Sequence, residues 1–194
     1  KNPHFKSISA EKAPPEKTGC ESCHGPGRAL VEAHGGKATI IAFSELEPKQ
    51  VLDKCLSCHG ESLARSNIRR STHTNNDVVC TNCHSIHKAQ TPKFLLARKQ
   101  TELCYGCHTN VRAEFSMPFK HRVNAGVTQC TNCHNPHGSF DPAWRLDSRP
   151  RLIEQSPGSE EACLNCQTEP RGPFVFEHPQ VRVEGCEAYH VHHG

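Results

Sequence analysis

The chain of 194 residues has little from which to build a conventional apolar interior: aromatic residues make up 6% of it, hydrophobic residues 35%, and the mean hydropathy is −0.66. That scarcity excludes a large self-packed core, so something other than aliphatic side chains has to fill the interior. No stretch approaches the roughly eighteen apolar residues of a membrane-crossing helix. The longest apolar stretches are Ala38 to Phe43 and Phe94 to Ala97. The formal net charge is +3 with both signs mixed along the chain. No basic stripe is interleaved with aromatics, so nucleic acid is not an expected partner. The chain starts at Lys1 without an initiator Met or a signal-type apolar segment. It is therefore expected to be a processed chain or an internal portion of a longer one.

What the chain has in quantity is Gly and Pro, at 13 and 14, and above all 13 Cys and 15 His. So many cysteines point either to disulfides in an oxidising compartment or to ligation of a metal or cofactor, and their spacing decides which. Five copies of Cys-x-x-Cys-His are present: Cys20/Cys23/His24, Cys55/Cys58/His59, Cys80/Cys83/His84, Cys104/Cys107/His108 and Cys130/Cys133/His134. Chance would supply roughly 0.07 such pentapeptides at this composition, and the pentapeptide is the attachment signature of haem c.

The chemistry requires these residues at this spacing. Two thiols three positions apart lie on one helical turn, where each adds to one vinyl group of the same haem. The His that follows presents an imidazole nitrogen to the iron as proximal ligand. Structural zinc is the competing reading of Cys-x-x-Cys, but it needs four ligands and does not demand a His after every second Cys. A two-residue spacer also makes a reactive redox pair rather than a structural staple, which argues against disulfides.

Two further stretches are one letter away from the motif. Cys163-Leu-Asn-Cys166-Gln167 keeps both thiols and lacks the His, and Cys186-Glu-Ala-Tyr189-His190 keeps the His and lacks one thiol. With them every cysteine has a place. The expected cofactor count is five covalent haems c, with up to seven if Cys163/Cys166 and Cys186/His190 are also occupied.

The remaining histidines reveal a repeat. One kind of motif has a His seven to nine residues upstream and another three residues past its proximal His: His73 and His87 around Cys80, His121 and His137 around Cys130, His178 and His193 around Cys186. The other kind, at Cys55, Cys104 and Cys163, has no such histidines and follows a helix-like approach. Pro48 suits a first helical turn there, and Thr101 stands where a cap would. Like motifs recur 49 and 50 residues apart (Cys55 to Cys104, Cys80 to Cys130), then 59 and 56. The expected organisation is one domain of two-haem repeats, about 1–59, 60–108, 109–167 and a partial 168–194. The chain stops where the repeat calls for another bare motif, so a longer cytochrome is expected.

The opening motif fits more loosely, with His4 upstream and His34 downstream. Eight spare histidines (His4, His34, His73, His87, His121, His137, His178 and His193) are then candidate second axial ligands, and only His192 lacks a role. Methionine, the other common partner in c-type haems, occurs once, at Met117. It cannot serve five irons. Bis-His ligation leaves no open coordination position, so no catalytic residue is expected.

The phrases Gly-Cys20-Glu-Ser-Cys-His-Gly-Pro-Gly, Cys80-Thr-Asn-Cys-His-Ser-Ile-His87, Met117-Pro-Phe-Lys-His121, Cys130-Thr-Asn-Cys-His-Asn-Pro-His-Gly138 and Phe176-Glu-His-Pro resemble the DmsE/MtrA type of periplasmic decahaem cytochrome over nearly the whole chain. The resemblance implies a mostly irregular chain with short α-helices and little or no β, wrapped around a linear, staggered array of bis-His haems. It implies electron transfer from inner-membrane quinol dehydrogenases or periplasmic carriers toward an outer-membrane porin, an extracellular cytochrome or a terminal reductase. The sequence departs from that pattern in its five intact motifs against ten, and in Gln167 and Tyr189. Two other functions compete with a simple carrier. One is a nitrite- or hydroxylamine-type oxidoreductase with an open iron near Gln167; the other is a haem-wire subunit of a larger complex or extracellular filament.

Overall fold

Short helices joined by turns are what a chain this rich in Gly, Pro, Cys and His can form, because few segments carry enough periodic apolar residues to extend a helix. The computed structural model describes residues 4, 19–138, 166–167, 190–191 and 193. Among them are seven α-helices, several 3-10 turns and no strand; the only sheet-like pairings are isolated bridges from Leu96 to His84 and Thr91. The described chain is thus mostly irregular with short helices, as the resemblance to decahaem cytochromes implied. No helix among the described residues is long and apolar enough to cross a membrane.

The chain divides into two units, Lys1–Ser66 with Thr72–Arg98, and Asn67–Ser71 with Lys99–Gly194. In the first, α1 (Glu21–His24) and α2 (Arg28–Glu32) precede the longest helix, α3 (Pro48–His59), and then come α4 (Thr72–Asn75) and α5 (Cys80–Cys83). Pro48 opens α3, where its missing N–H costs nothing, and the Glu47 N–H is satisfied by Gln50 Oε1 at 2.9 Å. The α3 helix packs against α5. The buried apolar residues of this unit are Val51 and Leu52 on α3 and Val79 just before α5.

The second unit holds α6 (Gln100–Tyr105), α7 (Thr109–Glu114) and the 3-10 turn Cys130–Asn132, with α6 packed against both. Thr101 does not cap α6. The helix begins two residues earlier than a Thr101 cap would place it, with Lys99 at the N-cap, and Gln100 is held in place by Thr131: its Nε2 donates to the Thr131 hydroxyl at 2.9 Å, and its Oε1 accepts from the Thr131 N–H at 3.2 Å. Ile68, Phe115 and Val123 are buried here, together with the hydroxyl-bearing Ser71. Gly138 closes the last intact motif at φ 93°, and a side chain there would meet the Asn67 carbonyl and Ser71 Cβ at 3.1 Å. Both the left-handed backbone and the close approach require glycine.

Candidate functional site

Each intact motif folds into a single turn for the same backbone reason. The His N–H donates back to the carbonyl of the first Cys: His24 to Cys20, His108 to Cys104 and His134 to Cys130 at 2.9 Å, and His84 to Cys80 at 2.8 Å. Cys55, Cys58 and His59 form the last turn of α3 and have the same spacing. This closure sets the two sulfurs one turn apart with the imidazole directly after them.

The two thiols of a motif, which spacing alone does not distinguish, differ in setting. In the first motif Cys20 is exposed and Cys23 is half-buried, whereas in the second Cys55 is half-buried and Cys58 is exposed. Cys20 and Cys23 are the expected tethers of the first haem, and Cys23 lies on α1 directly before its proximal ligand His24. The sheltered thiol is therefore the second of the pair in one motif and the first in the next.

The residues between the cysteines lock the turn in two ways. In the first two motifs a serine donates to a carbonyl three residues back, Ser22 to Gly19 at 2.7 Å and Ser57 to Lys54 at 2.8 Å. The same hydroxyls lie 3.8 Å from Cys23 Sγ and 3.9 Å from Cys58 Sγ. In the Cys80 and Cys130 motifs an asparagine oxygen accepts instead, Asn82 from the Val79 N–H at 2.8 Å and Asn132 from the Gln129 N–H at 2.7 Å. These roles were missed from sequence, although the recurring Thr-Asn inside two motifs was a visible signal.

First cysteines meet in pairs. Cys55 and Cys80 share a hydrogen bond in one unit, and Cys104 and Cys130 share one in the other. The bond from Cys55 lowers the Cys80 thiol to about 7 against the opposing effect of burial. Cys55 is pushed far up, first by that bond, then by burial, and last by the nearby charges of Cys80 and Cys23. Cys104 lowers Cys130 to about 7 in the same manner as Cys55 lowers Cys80. In the chain before haem attachment, a thiolate, the nucleophilic form of cysteine, is thereby favoured at one member of each pair. Each pairing joins a bare motif to the His-flanked motif that follows it.

Returning loops orient the proximal imidazoles. His24 Nδ1 lies 2.8 Å from the Ile41 carbonyl, and the Ile41 N–H donates to the His24 carbonyl at 2.9 Å. His84 Nδ1 lies 2.7 Å from the Phe94 carbonyl, while the Ala97 N–H donates to the Cys83 carbonyl at 2.9 Å. A carbonyl only accepts, so Nδ1 carries the proton and Nε2 keeps the lone pair that binds a metal. Desolvation, followed by the Arg65 guanidinium, holds His59 below the usual imidazole range and so favours the neutral ring. The carbonyls of Ile41 and Phe94 come from the two longest apolar stretches of the sequence, whose role had no evident assignment there.

Three of the spare histidines stand opposite proximal ones. The ring centre of His87 lies 5.9 Å from that of His24 with the planes 16° apart, His4 lies 6.0 Å from His59 at 80°, and His193 lies 5.9 Å from His134 at 56°. A metal–imidazole bond of about 2 Å on each side, plus about 1.1 Å from each nitrogen to its ring centre, separates trans imidazole centres by roughly 6 Å. Ordinary aromatic contacts span a wider range. The recurrence of one distance, always between a proximal and a spare His, fits an iron between them. Among the described residues no group of three or more His, Cys, Asp or Glu converges.

The other expected residues are distributed as follows. His73 lies in α4, and it, His108, His121 and His137 make further contacts of their own. His34 is exposed at φ 53° after α2, and no second imidazole is paired with it among the described residues. Cys166, Gln167 and His190 are exposed. Cys163, Cys186 and His178 lie outside the described residues. Beside the Cys104–Cys107 turn runs a groove of about 770 Å³ lined by Tyr105, Gly106, Arg112 and Val123 among others, of the size that cofactor sites have.

Single-turn Cys-x-x-Cys-His motifs, with imidazoles paired at an iron-spanning distance, define a multihaem c-type cytochrome. Residues 73–113 match the family model described as doubled CXXCH motif, and residues 31–85 match cytochrome c554 and c-prime. The chain is 34% identical over 180 residues to multiheme cytochrome MtrA of Shewanella baltica (strain OS185), an alignment covering 90% of this chain and 50% of that protein. The chain is thus a multihaem c-type cytochrome that carries covalently bound haem c, similar to MtrA over most of its own length, and it spans about half the length of the curated relative it matches.

Proposed function

We propose that this chain carries electrons through a series of c-type haems held by two imidazoles each, and has no substrate-turnover site. The observation that carries this reading is the set of three imidazole pairs, His24/His87, His59/His4 and His134/His193, with ring centres 5.9 to 6.0 Å apart. With both axial positions filled, an iron has no place for a substrate. Bound haem supplies a one-electron couple. The chain's own residues do the rest: thiols tether, proximal imidazoles oriented by Ile41 and Phe94 bind one face, and histidines from distant segments bind the other. Cys55 beside Cys80, and Cys104 beside Cys130, bring the attachment points of successive haems together, which suits transfer from one to the next.

On this reading the donor is an inner-membrane quinol dehydrogenase or a periplasmic carrier, and the acceptor is an outer-membrane porin–cytochrome, an extracellular cytochrome or a terminal reductase. The location is periplasmic, at or near the outer membrane. Support comes from the MtrA-type similarity, which spans most of the chain. Spectra of the purified holoprotein test the core of the proposal: all haem is expected to be low-spin in both oxidation states. Substantial high-spin haem, or turnover of nitrite or hydroxylamine that disappears in Cys166→Ala, overturns it in favour of an oxidoreductase.

A further inference from the structure

The second nitrogens of the candidate ligand imidazoles meet unlike acceptors. His24 and His84 direct Nδ1 at main-chain carbonyls, of Ile41 at 2.8 Å and Phe94 at 2.7 Å. His193 directs Nδ1 at a carboxylate, Glu114 Oε2, at 2.7 Å. A peptide carbonyl is a neutral dipole, whereas a carboxylate carries a full charge, and hydrogen bonds to ionised acceptors are roughly twice as strong as neutral ones.

The contact is built into the fold. Glu114 is the last residue of α7, and its neighbour Phe115 is 6% exposed, so the carboxylate sits on a packed element. The Phe115 ring lies 4.9 Å from that of His193, and the His193 side chain is 18% exposed against 42% for Glu114. The imidazole is therefore the more sheltered of the two partners. As a half-exposed hydrogen bond the contact would contribute little to stability. Its larger consequence falls on the nitrogen across the ring.

We propose that Glu114 is a redox-tuning residue: by accepting the Nδ1–H of His193 it makes that imidazole a stronger donor and holds the haem attached at Cys130 and Cys133 at a lower reduction potential than carbonyl-bonded ligation gives. The proposal rests on the reading of His134 and His193 as one axial pair. Partners on the far nitrogen of a metal-bound His raise its basicity, and a stronger donor with a negative charge behind it stabilises the ferric over the ferrous state. Reduction adds one electron to the iron, delivered by a neighbouring redox centre, and the Nδ1 proton stays on His193 in both states. The chain thereby sets this haem apart from those whose ligands His24 and His84 lean on carbonyls, by a single side chain.

Spectropotentiometric titration of the holoprotein, wild type beside Glu114→Gln and His193→Ala, tests this. Glu114→Gln keeps the shape and an acceptor oxygen but removes the charge. It is expected to retain every haem by intact mass and full low-spin character, and to shift one component of the titration upward while the others stay in place. Glu114→Asp is expected to move that component back toward the wild-type value. An unmoved titration in low-spin Glu114→Gln overturns the tuning role while leaving the axial pair intact. High-spin haem in Glu114→Gln also overturns it, since Glu114 would then serve to seat His193. If His193→Ala stays fully low-spin, the axial pair itself falls, and the proposal with it.

Discussion

The two units hold their cysteines in the same way and their imidazoles differently. In each, a bare motif and the His-flanked motif after it bring their first cysteines into hydrogen-bond contact, Cys55 with Cys80 and Cys104 with Cys130. In the first unit the imidazoles of His24 and His84 lean on the main-chain carbonyls of Ile41 and Phe94; in the second, His193 leans on the carboxylate of Glu114. The difference teaches that attachment and electronic tuning are separate layers. Tethering needs only one turn of backbone, whether serine or asparagine locks it, while the partner of the second nitrogen is set locally and differs from site to site.

The largest expected effects come from removing a distal imidazole. His87→Ala in the first unit and His193→Ala in the second should each leave the intact mass short only by the side chain and convert one haem to high-spin, visible in the absorption spectrum. His34→Ala, at an exposed residue with no paired imidazole among those described, should leave the low-spin spectrum unchanged. A spectrum that responds to His34 and ignores His87 would break the pairing in the first unit.

The planes of the paired rings predict a sharper contrast within that unit. Near-parallel imidazoles, as in His24/His87 at 16°, give low-spin ferric haem a rhombic electron paramagnetic resonance signal, and near-perpendicular ones, as in His59/His4 at 80°, give a strongly anisotropic signal. Both signals should be present in the oxidised holoprotein, and His4→Ala should abolish an anisotropic component while sparing the rhombic one. Retention of every anisotropic component in His4→Ala would separate His4 from His59.

Packing effects should be smaller and confined to one unit. Gly138→Ala forces a side chain into left-handed backbone with neighbours at 3.1 Å and should cost about 1–3 kcal/mol in denaturant unfolding. Gly126→Ala, at φ 74° but in open space, should cost only about 1 kcal/mol. Smallest of all, Asn82→Ala and Asn132→Ala each remove one equivalent hydrogen bond, and about 1 kcal/mol is expected in both units. Unequal losses would show that the two turns are not the same device.

Much of the site was legible without coordinates. The Cys-x-x-Cys-His pentapeptide carries its own geometry, because spacing along one helical turn is a local property, and so the single turn at each motif could be expected residue by residue. The start of α3 at Pro48 was legible for the same reason. The unequal shelter of Cys20 and Cys23 was not, since burial depends on what packs over the turn. Thr101 was misjudged as a cap because the start of α6 depends on Gln100 meeting Thr131, 31 residues away. Distal pairing was equally out of reach. His87 lies three residues past His84, yet its ring stands opposite His24, because which rings meet depends on segments brought together by the fold and not on spacing along the chain.

The sequence by itself determined the cofactor, the covalent attachment points and the supply of histidines, since each is written in short-range spacing and count. Tertiary structure decided which spare imidazole meets which proximal one, which carbonyl or carboxylate stands behind each ring, and that Gly138 must be glycine. Those depend on segments brought together by loop paths, and no period along the chain encodes them. One turn of backbone is enough to hold a haem, but setting its ligands and its potential takes the fold.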